Sequence, residues 1–358
     1  MRFYRLSALV GALFMLSCNP TTSKPEAGKA SRSKDAATAQ VRVQPAMALA
    51  HAGASSPPGQ ADGCRKAVDA ALAALERGAS ALDAAVAGVV VLEDDPRFNA
   101  GTGSRVRIDG ETVQMDASVM ESSGRFAAVA ALEAVRNPVR VARALIDTPH
   151  LLLVGDGATS FARTLGMPVY DPKTKEMIEA TRLLQAKLRE KAADLPEDWR
   201  RFDWQRHWNF QKTLEQSGFR RAELGSDTVG MVVRGKKGEF AAALSSGGTS
   251  ITLRGRVGDV PVFGAGLYAG EFGAIAATGY GEAIMSKALA LRSHQALAAG
   301  DAPAKVAKQA VEELKKRGSI GILVIGRDSF GVDADEPMAW AARGLGREEW
   351  HGPKPAAP

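Results

Sequence analysis

The sequence predicts a layered α/β protein, and three observations carry that reading. Apolar residues recur at helical spacing early in the chain, as at Val68, Ala71, Leu72 and Leu75. Short apolar runs bounded by glycine-rich turns dominate after residue 228. Helical and strand patterns interleave along the chain rather than segregating into halves.

Taken in order, residues 47–51 read as a buried strand that runs into a turn at Ala52-Gly53. The spacing predicts a helix over 62–75 and a second over 81–92, with Ser80 placed to cap it. Strands are expected at 105–108 and 112–116, joined by the hairpin dipeptide Asp109-Gly110. A strand at 127–132 and a helix at 139–146 follow. The stretch 171–225 is dense in charge and reads as a connector with one or two surface helices, pinned to the body by Trp199, Trp204 and Trp208. Strands are then expected at 228–234 and 239–245 around a turn, and at 260–264, 273–278 and 320–326. Helices fit 282–298 and 303–317, the second opening on Pro303, where the first helical turn needs no backbone donor. No tandem repeat is present, and propensity leaves the strand order open.

With 358 residues the chain can bury a large core, and 45% hydrophobic with 24% charged residues is ordinary for a globular protein. The net charge of +6 is concentrated at the start. Residues 1–50 hold seven Lys/Arg against Glu26 and Asp35, or +5, which leaves the rest near +1 and gives no basic surface for nucleic acid.

Arg2 and Arg5, the apolar run Leu6 to Leu16, and Ser17-Cys18 have the layout of an export signal too short to span a membrane comfortably. Cys18 directly after a small residue reads as a lipoprotein site, with Met15 where leucine is usual; a plain secretory signal cut nearby is the alternative. Either reading exports the protein to the bacterial periplasm or envelope, with membrane contact only through a lipid on Cys18. Residues 19–45 read as a flexible tether. Cys64 is the one other cysteine and has no partner in the mature chain, so no disulfide framework is expected.

The five histidines (His51, His150, His207, His294, His351) are scattered without zinc-site spacing, and no Gly-x-Ser-x-Gly elbow nominates a serine nucleophile. Gly101-Thr102-Gly103 is half of a dinucleotide fingerprint and follows no clear strand. Four sets of small residues stand out instead: Gly225-Ser226-Asp227-Thr228-Val229-Gly230, Ser245-Ser246-Gly247-Gly248, Gly255-Arg256-Val257-Gly258-Asp259 and Ala277-Thr278-Gly279-Tyr280-Gly281-Glu282. Each alone reads as a turn.

Their order and spacing, with Leu92-Glu93-Asp94-Asp95-Pro96-Arg97-Phe98-Asn99-Ala100-Gly101-Thr102-Gly103-Ser104 and Met115-Asp116-Ala117-Ser118, resemble the plant-type asparaginase and isoaspartyl peptidase family, relatives of glycosylasparaginase. The resemblance runs from about His51 to Glu282. It implies a four-layer αββα sandwich of the N-terminal-nucleophile hydrolase type, made as a precursor that cuts itself between Asp227 and Thr228. The resulting α- and β-subunits would stay together, and two such αβ pairs would form a dimer. Thr228 becomes the nucleophile. Arg256 would hold the substrate carboxylate and Asp259 its ammonium. Thr278 and the Gly279 N–H would form the oxyanion hole. Ser246 would bond near the nucleophile, and Asn99 would support the site. The backbone carbonyls of Leu92, Glu93, Asp95, Phe98, Ala100 and Thr102 would wrap a structural sodium ion; catalysis would need no cofactor. The substrate would be asparagine or a β-aspartyl peptide.

This chain departs from the family at Ala52 (glycine is usual), at Ser226 (histidine) and at Ser246 (threonine). Ala52 is expected to narrow the pocket or shift the turn. Asp227 is the residue of glycosylasparaginases, whereas the 98–104 loop matches isoaspartyl peptidases. Two alternatives therefore stand beside the main reading: a glycosylasparaginase acting on glycan-asparagine stubs, and a noncatalytic surface lipoprotein that keeps the fold for binding.

Overall fold

Six strands bury every residue along their length, which in antiparallel sheets requires cover on both faces. The computed structural model, which describes residues 44–195, 199–200 and 228–353, shows how that cover is arranged. The strands are β1 (Met47–Ala54), β2 (Met115–Glu121), β3 (Phe126–Leu132), β4 (Leu152–Val154), β5 (Thr228–Arg234), β6 (Phe240–Ser246), β7 (Leu267–Gly270), β8 (Gly273–Gly279), β9 (Ile320–Gly326), β10 (Phe330–Ala334) and β11 (Met338–Gly344). The helices are α1 (Ala61–Glu76), α2 (Ala81–Asp94), α3 (Pro138–Leu145), α4 (Gly155–Thr164), α5 (Lys175–Arg189), α6 (Gly281–Lys287), α7 (Leu289–Ala298) and α8 (Pro303–Leu314). Among the described residues no helix is long and apolar enough to cross a membrane.

One sheet runs β11-β1-β5-β6-β2-β3-β4, antiparallel except for the parallel pair β3 and β4. The other runs β10-β9-β8-β7, antiparallel throughout. The period-2 alternation of each strand sorts its side chains into two cores. On β5, Val229, Met231 and Val233 face α1 and α2, while Val232 faces the second sheet. On β8, Ala274 and Ala276 meet the first sheet, and Ile275 and Ala277 meet α7 and α8. Three apolar cores between four layers make the αββα sandwich. The middle core is where the site forms, because the same parity turns Thr228, Ser246 and Thr278 into the space between the sheets.

Most elements fall where the pattern predicts them. Ser80 caps α2, its hydroxyl accepting from the Asp83 N–H. Three expectations fail. Residues 105–108 and 112–114 form no strand pair: the Asp109 carboxylate takes the N–H groups of Glu111 and Thr112, and the Ile108 N–H goes to Thr252 O instead of a ladder. Residues 260–264 are turns, because the backbone there folds back on Asp259, whose carbonyl accepts from Val262 and Gly266. The helix expected over 282–298 is two, broken at Ala288 in the left-handed conformation (φ 46°). Trp199 packs on the cluster of Ile108, Leu184, Leu188 and Leu195, while Trp204, Trp208 and His207 lie outside the described residues, as do Cys18, Ser226 and Asp227.

Candidate active site

Thr228 opens β5, pairs with Ser246 at the end of β6, and Ser246 in turn pairs with Asp116 on β2. Three neighbouring strands thus carry one row of polar residues at the edge of the inter-sheet core. Thr228 is 4% exposed, and its hydroxyl donates to Ser246 Oγ over 3.2 Å. Ser246 Oγ also accepts from the Gly248 N–H (3.1 Å), so the serine hydroxyl is oriented from both sides. Its hydroxyl keeps its contact with Thr228 without the threonine methyl.

From the facing sheet, Thr278 on β8 turns toward the same space. Its Oγ1 accepts from the Ala54 N–H (3.2 Å), which engages a lone pair and directs the one O–H proton elsewhere. Gly279 follows with φ 136°, and a Cβ there would lie 2.0 Å from Ser319 O, so only glycine can bring this N–H to the cleft. The cleft is lined by Asp116, Thr228, Ser246, Arg256, Asp259 and Gly279, among others.

Residues 253–260 hold Arg256 and Asp259, and successive same-face residues at the β2 edge pin them. The Gly255 N–H donates to Gln114 Oε1 (2.7 Å), the Gly258 N–H to Asp116 Oδ2 (3.2 Å), and Ser118 Oγ to Val260 O. Asp116 and Gln114 carried no role in the sequence reading; the regular i, i+2, i+4 spacing of 114, 116 and 118 was the available signal. Asp259 is 4% exposed, and its Oδ2 has no partner among the described residues. Burial pushes its carboxyl up to about 7 despite the neighbouring Arg256 guanidinium. An unpaired buried carboxylate is costly, and an incoming ammonium would satisfy it. Burial opposes the charge on Arg256, but the Glu282 carboxylate more than compensates and holds its pKa above the usual value.

The turn after Ser246 is held by the 99–107 segment. Asn99 Nδ2 donates to Gly248 O (2.6 Å), its Oδ1 accepts from the Arg105 N–H (2.9 Å), and its carbonyl accepts from the Gly247 N–H (2.9 Å). Arg107, fully buried and pushed down to about 10 by that burial, donates to Gly247 O and Gln114 O. It ties the Thr228 side of the cleft to the Arg256 side and was not identified from sequence.

His51 lies between the sheets, buried against the Thr228 backbone. Burial drives its pKa down to about 3, so it is a neutral imidazole and no proton carrier at pH 7. Ala52 beside it points into the helix-facing core, so its methyl does not narrow the cleft as the sequence comparison led one to expect.

Among the described residues no three His, Cys, Asp or Glu side chains are placed to hold a metal. The 92–102 loop offers carbonyl oxygens instead. Its backbone folds on itself, with Thr102 N–H on Glu93 O (2.8 Å), Phe98 N–H on Asp95 O (3.1 Å) and Asp95 N–H on Leu92 O (3.3 Å). Each of these carbonyls keeps a second lone pair, and Leu92, Glu93, Phe98 and Ala100 are buried. A hard monovalent cation suits such a donor set. The Glu93 carboxyl is turned toward α3, where its Oε1 accepts from the Val139 N–H (2.9 Å), and burial raises it to about 8.

The chain has relatives that carry asparaginase and isoaspartyl peptidase names. It is 39% identical over 273 residues to a plant-type L-asparaginase of Pyrococcus abyssi, covering 76% of this chain and 81% of that protein. It is 42% identical to a plant-type L-asparaginase of Thermococcus kodakarensis, over 64% of this chain and 70% of the other. An isoaspartyl peptidase/L-asparaginase of Danio rerio is 35% identical, over 80% of this chain and 86% of its own length. The asparaginase family profile matches residues 47–342, a span that runs from β1 into β11 and takes in both sheets and the whole cleft, so the chain belongs to the asparaginase family.

Proposed function

We propose that this protein is an isoaspartyl peptidase and L-asparaginase that activates itself by cleavage before Thr228 and releases L-aspartate. The observation that carries the reading is the Thr228 hydroxyl, bonded to Ser246 at the mouth of a cleft that also holds Arg256 and the unpaired Asp259 carboxylate. The names of the relatives support the substrate class.

In the first step Thr228 Oγ1 attacks the Asp227 carbonyl carbon, and its proton passes to the departing Thr228 nitrogen. Water opens the ester, leaving Asp227 as a carboxylate end and Thr228 with a free amine. That amine, with a reference pKa of about 7.7–8.0, is partly neutral at pH 7 and takes the hydroxyl proton when Thr228 attacks the substrate amide. The oxyanion that forms is met by Thr278 Oγ1 and the Gly279 N–H; loss of one such donor costs about 100- to 1000-fold. The Thr228 ammonium returns the proton to the substrate nitrogen, which leaves as ammonia or a peptide amine, and water then hydrolyses the β-aspartyl ester on Thr228 Oγ1. Arg256 binds the substrate α-carboxylate and Asp259 the α-ammonium. The match of the 98–104 loop to isoaspartyl peptidases supports peptides over glycosylated asparagine.

A sodium ion on the carbonyls of Leu92, Glu93, Asp95, Phe98, Ala100 and Thr102 would fix the loop that carries Asn99 and take no part in bond breaking. The same proposal keeps Cys18 as a lipid attachment point in the cell envelope and a dimer of αβ units as the assembly; both rest on sequence.

Intact mass spectrometry of protein lacking residues 1–18, incubated at neutral pH beside Thr228→Ala, tests the reading. Two fragments meeting at the Asp227–Thr228 bond, absent from the variant, are expected, followed by turnover of β-aspartyl dipeptides. One uncut, inactive chain in both samples would reject it.

A further inference from the structure

Arg256 does not present its whole guanidinium to the cleft. Its Nε and Nη2 each donate to the Glu282 carboxylate, over 2.9 and 2.8 Å, in a bidentate pair that leaves the two side chains 19% and 26% exposed. Of the five guanidinium N–H groups, the two on Nη1 and one on Nη2 remain for another partner. The plane is also walled by backbone. A Cβ on Gly258 would stand 3.0 Å from Nη1, and one on Gly281 would stand 3.0 Å from Nη2 and 2.8 Å from Asp259 Oδ1. Gly281 and Glu282 therefore set both the angle of the guanidinium and its distance from Asp259.

We infer that Glu282 is a positioning and specificity-determining residue: it turns Arg256 so that only the Nη1–Nη2 end is offered, and it cancels the arginine charge. This inference rests on the reading of Arg256 and Asp259 as the clamp for an amino acid end. An end-on fork fits one carboxylate, approached along the axis of the arginine. With the Arg256–Glu282 pair neutral overall, the acidic charge left in the cleft is that of Asp259 and Asp116, the latter opposed by Arg107. A ligand must then bring an ammonium as well as a carboxylate. Removing Glu282 frees an uncompensated guanidinium with a mobile fork, which would weaken an amino acid end and favour ligands that are purely anionic.

The test compares wild type, Glu282→Ala and Glu282→Gln by calorimetric binding of L-aspartate and of succinate, which lacks the ammonium, and by steady-state kinetics. In Glu282→Ala the KM and the L-aspartate Kd are expected to rise about 10- to 100-fold, the range for losing a charge-assisted bidentate pair, with kcat within about threefold. The preference for L-aspartate over succinate should fall at least about tenfold. Glu282→Gln, which keeps one acceptor and the shape but not the charge, should restore part of the affinity and none of the selectivity. A purely structural glutamate would lower the melting temperature in both variants and leave the selectivity ratio alone. An unchanged ratio with L-aspartate affinity within about twofold of wild type would overturn the inference. Should Glu282→Ala not fold, the isosteric glutamine variant makes the same comparison. Wild type that binds L-aspartate but turns nothing over would reject the hydrolase reading and leave the Glu282 comparison decisive; wild type that binds neither ligand would overturn both.

Discussion

Lowering the pH from 8 to 5.5 should strip the charge from Asp259 and, with it, the affinity for any amino acid end. Burial holds this carboxyl up near a pKa of about 7, opposed by Arg256 and reinforced by Glu282 and Asp116. The ionised fraction then drops from about nine-tenths at pH 8 to roughly 3% at pH 5.5, by the usual tenfold per pH unit. If the α-ammonium binds only the ionised form, L-aspartate affinity falls about 30-fold across that range. Neither the β-carboxylate nor the α-ammonium of L-aspartate titrates in the window, so the change belongs to the protein. Calorimetric Kd values at half-unit steps, on wild type and Asp259→Asn, provide the assay. Binding is the readout because a Thr228 amine freed by the proposed cleavage, with its reference pKa of about 7.7–8.0, would distort kcat. The expected result is a wild-type acid limb centred near pH 7 that is absent from the weakly binding asparagine variant. A wild-type Kd that stays flat from pH 8 to 5.5 would refute the assignment of Asp259 as the ammonium partner.

Asp259→Asn should also raise the melting temperature at pH 8. Its folded pKa lies above the unfolded value, so burying the charged form opposes folding fully above about pH 7; the gain should shrink on acidification and vanish below about pH 4, as a pH series of thermal melts would show. Ser246→Ala leaves the Thr228 hydroxyl and the Gly248 N–H without their partner, and kcat should fall about tenfold, the equivalent of one net hydrogen bond, with Ser246→Thr restoring it. Unchanged kcat in the alanine variant would remove Ser246 from the site. Asn99→Ala deletes bonds to Gly248 O and the Arg105 N–H inside the core and should lower stability by about 2–3 kcal/mol in urea unfolding. Replacing sodium by choline at equal ionic strength should lower the melting temperature through lost ligation of the 92–102 loop; identical melts would argue against a bound cation there.

Local patterns were legible wherever one residue or one period decides the outcome. The strands 228–234 and 320–326 match β5 and β9 at both ends, since continuous β-branched and aliphatic runs between glycine turns admit few other conformations. Ser80 could be read as a cap because its bond is made three residues away. The misread segments share a different cause. Residues 105–108 carry a hairpin signal, yet Arg107 is drawn inward to Gly247 O and Gln114 O, and Ile108 bonds to Thr252. Residues 260–264 look like a strand by composition, but the tether from Ser118 to Val260 O and the turn onto Asp259 set their path. Strands β4, β7, β10 and β11 were missed: β4 is an apolar run of only three residues that lies mostly exposed, and β10 is largely half-buried and lacks an apolar run.

The same division holds for the site. By itself the sequence determined the residue types, the order of the small-residue segments and hence the family, because those depend on chain order alone. Only the tertiary structure decided that Thr228, Ser246 and Asp116 share one row across three strands, and that Thr278 meets them from the other sheet. It also decided that Gln114, Asp116 and Ser118 hold the loop of Arg256, and that Glu282 claims half of that arginine. Strand pairing and burial are relations between segments from 18 to 142 residues apart, and such relations leave no mark on local composition.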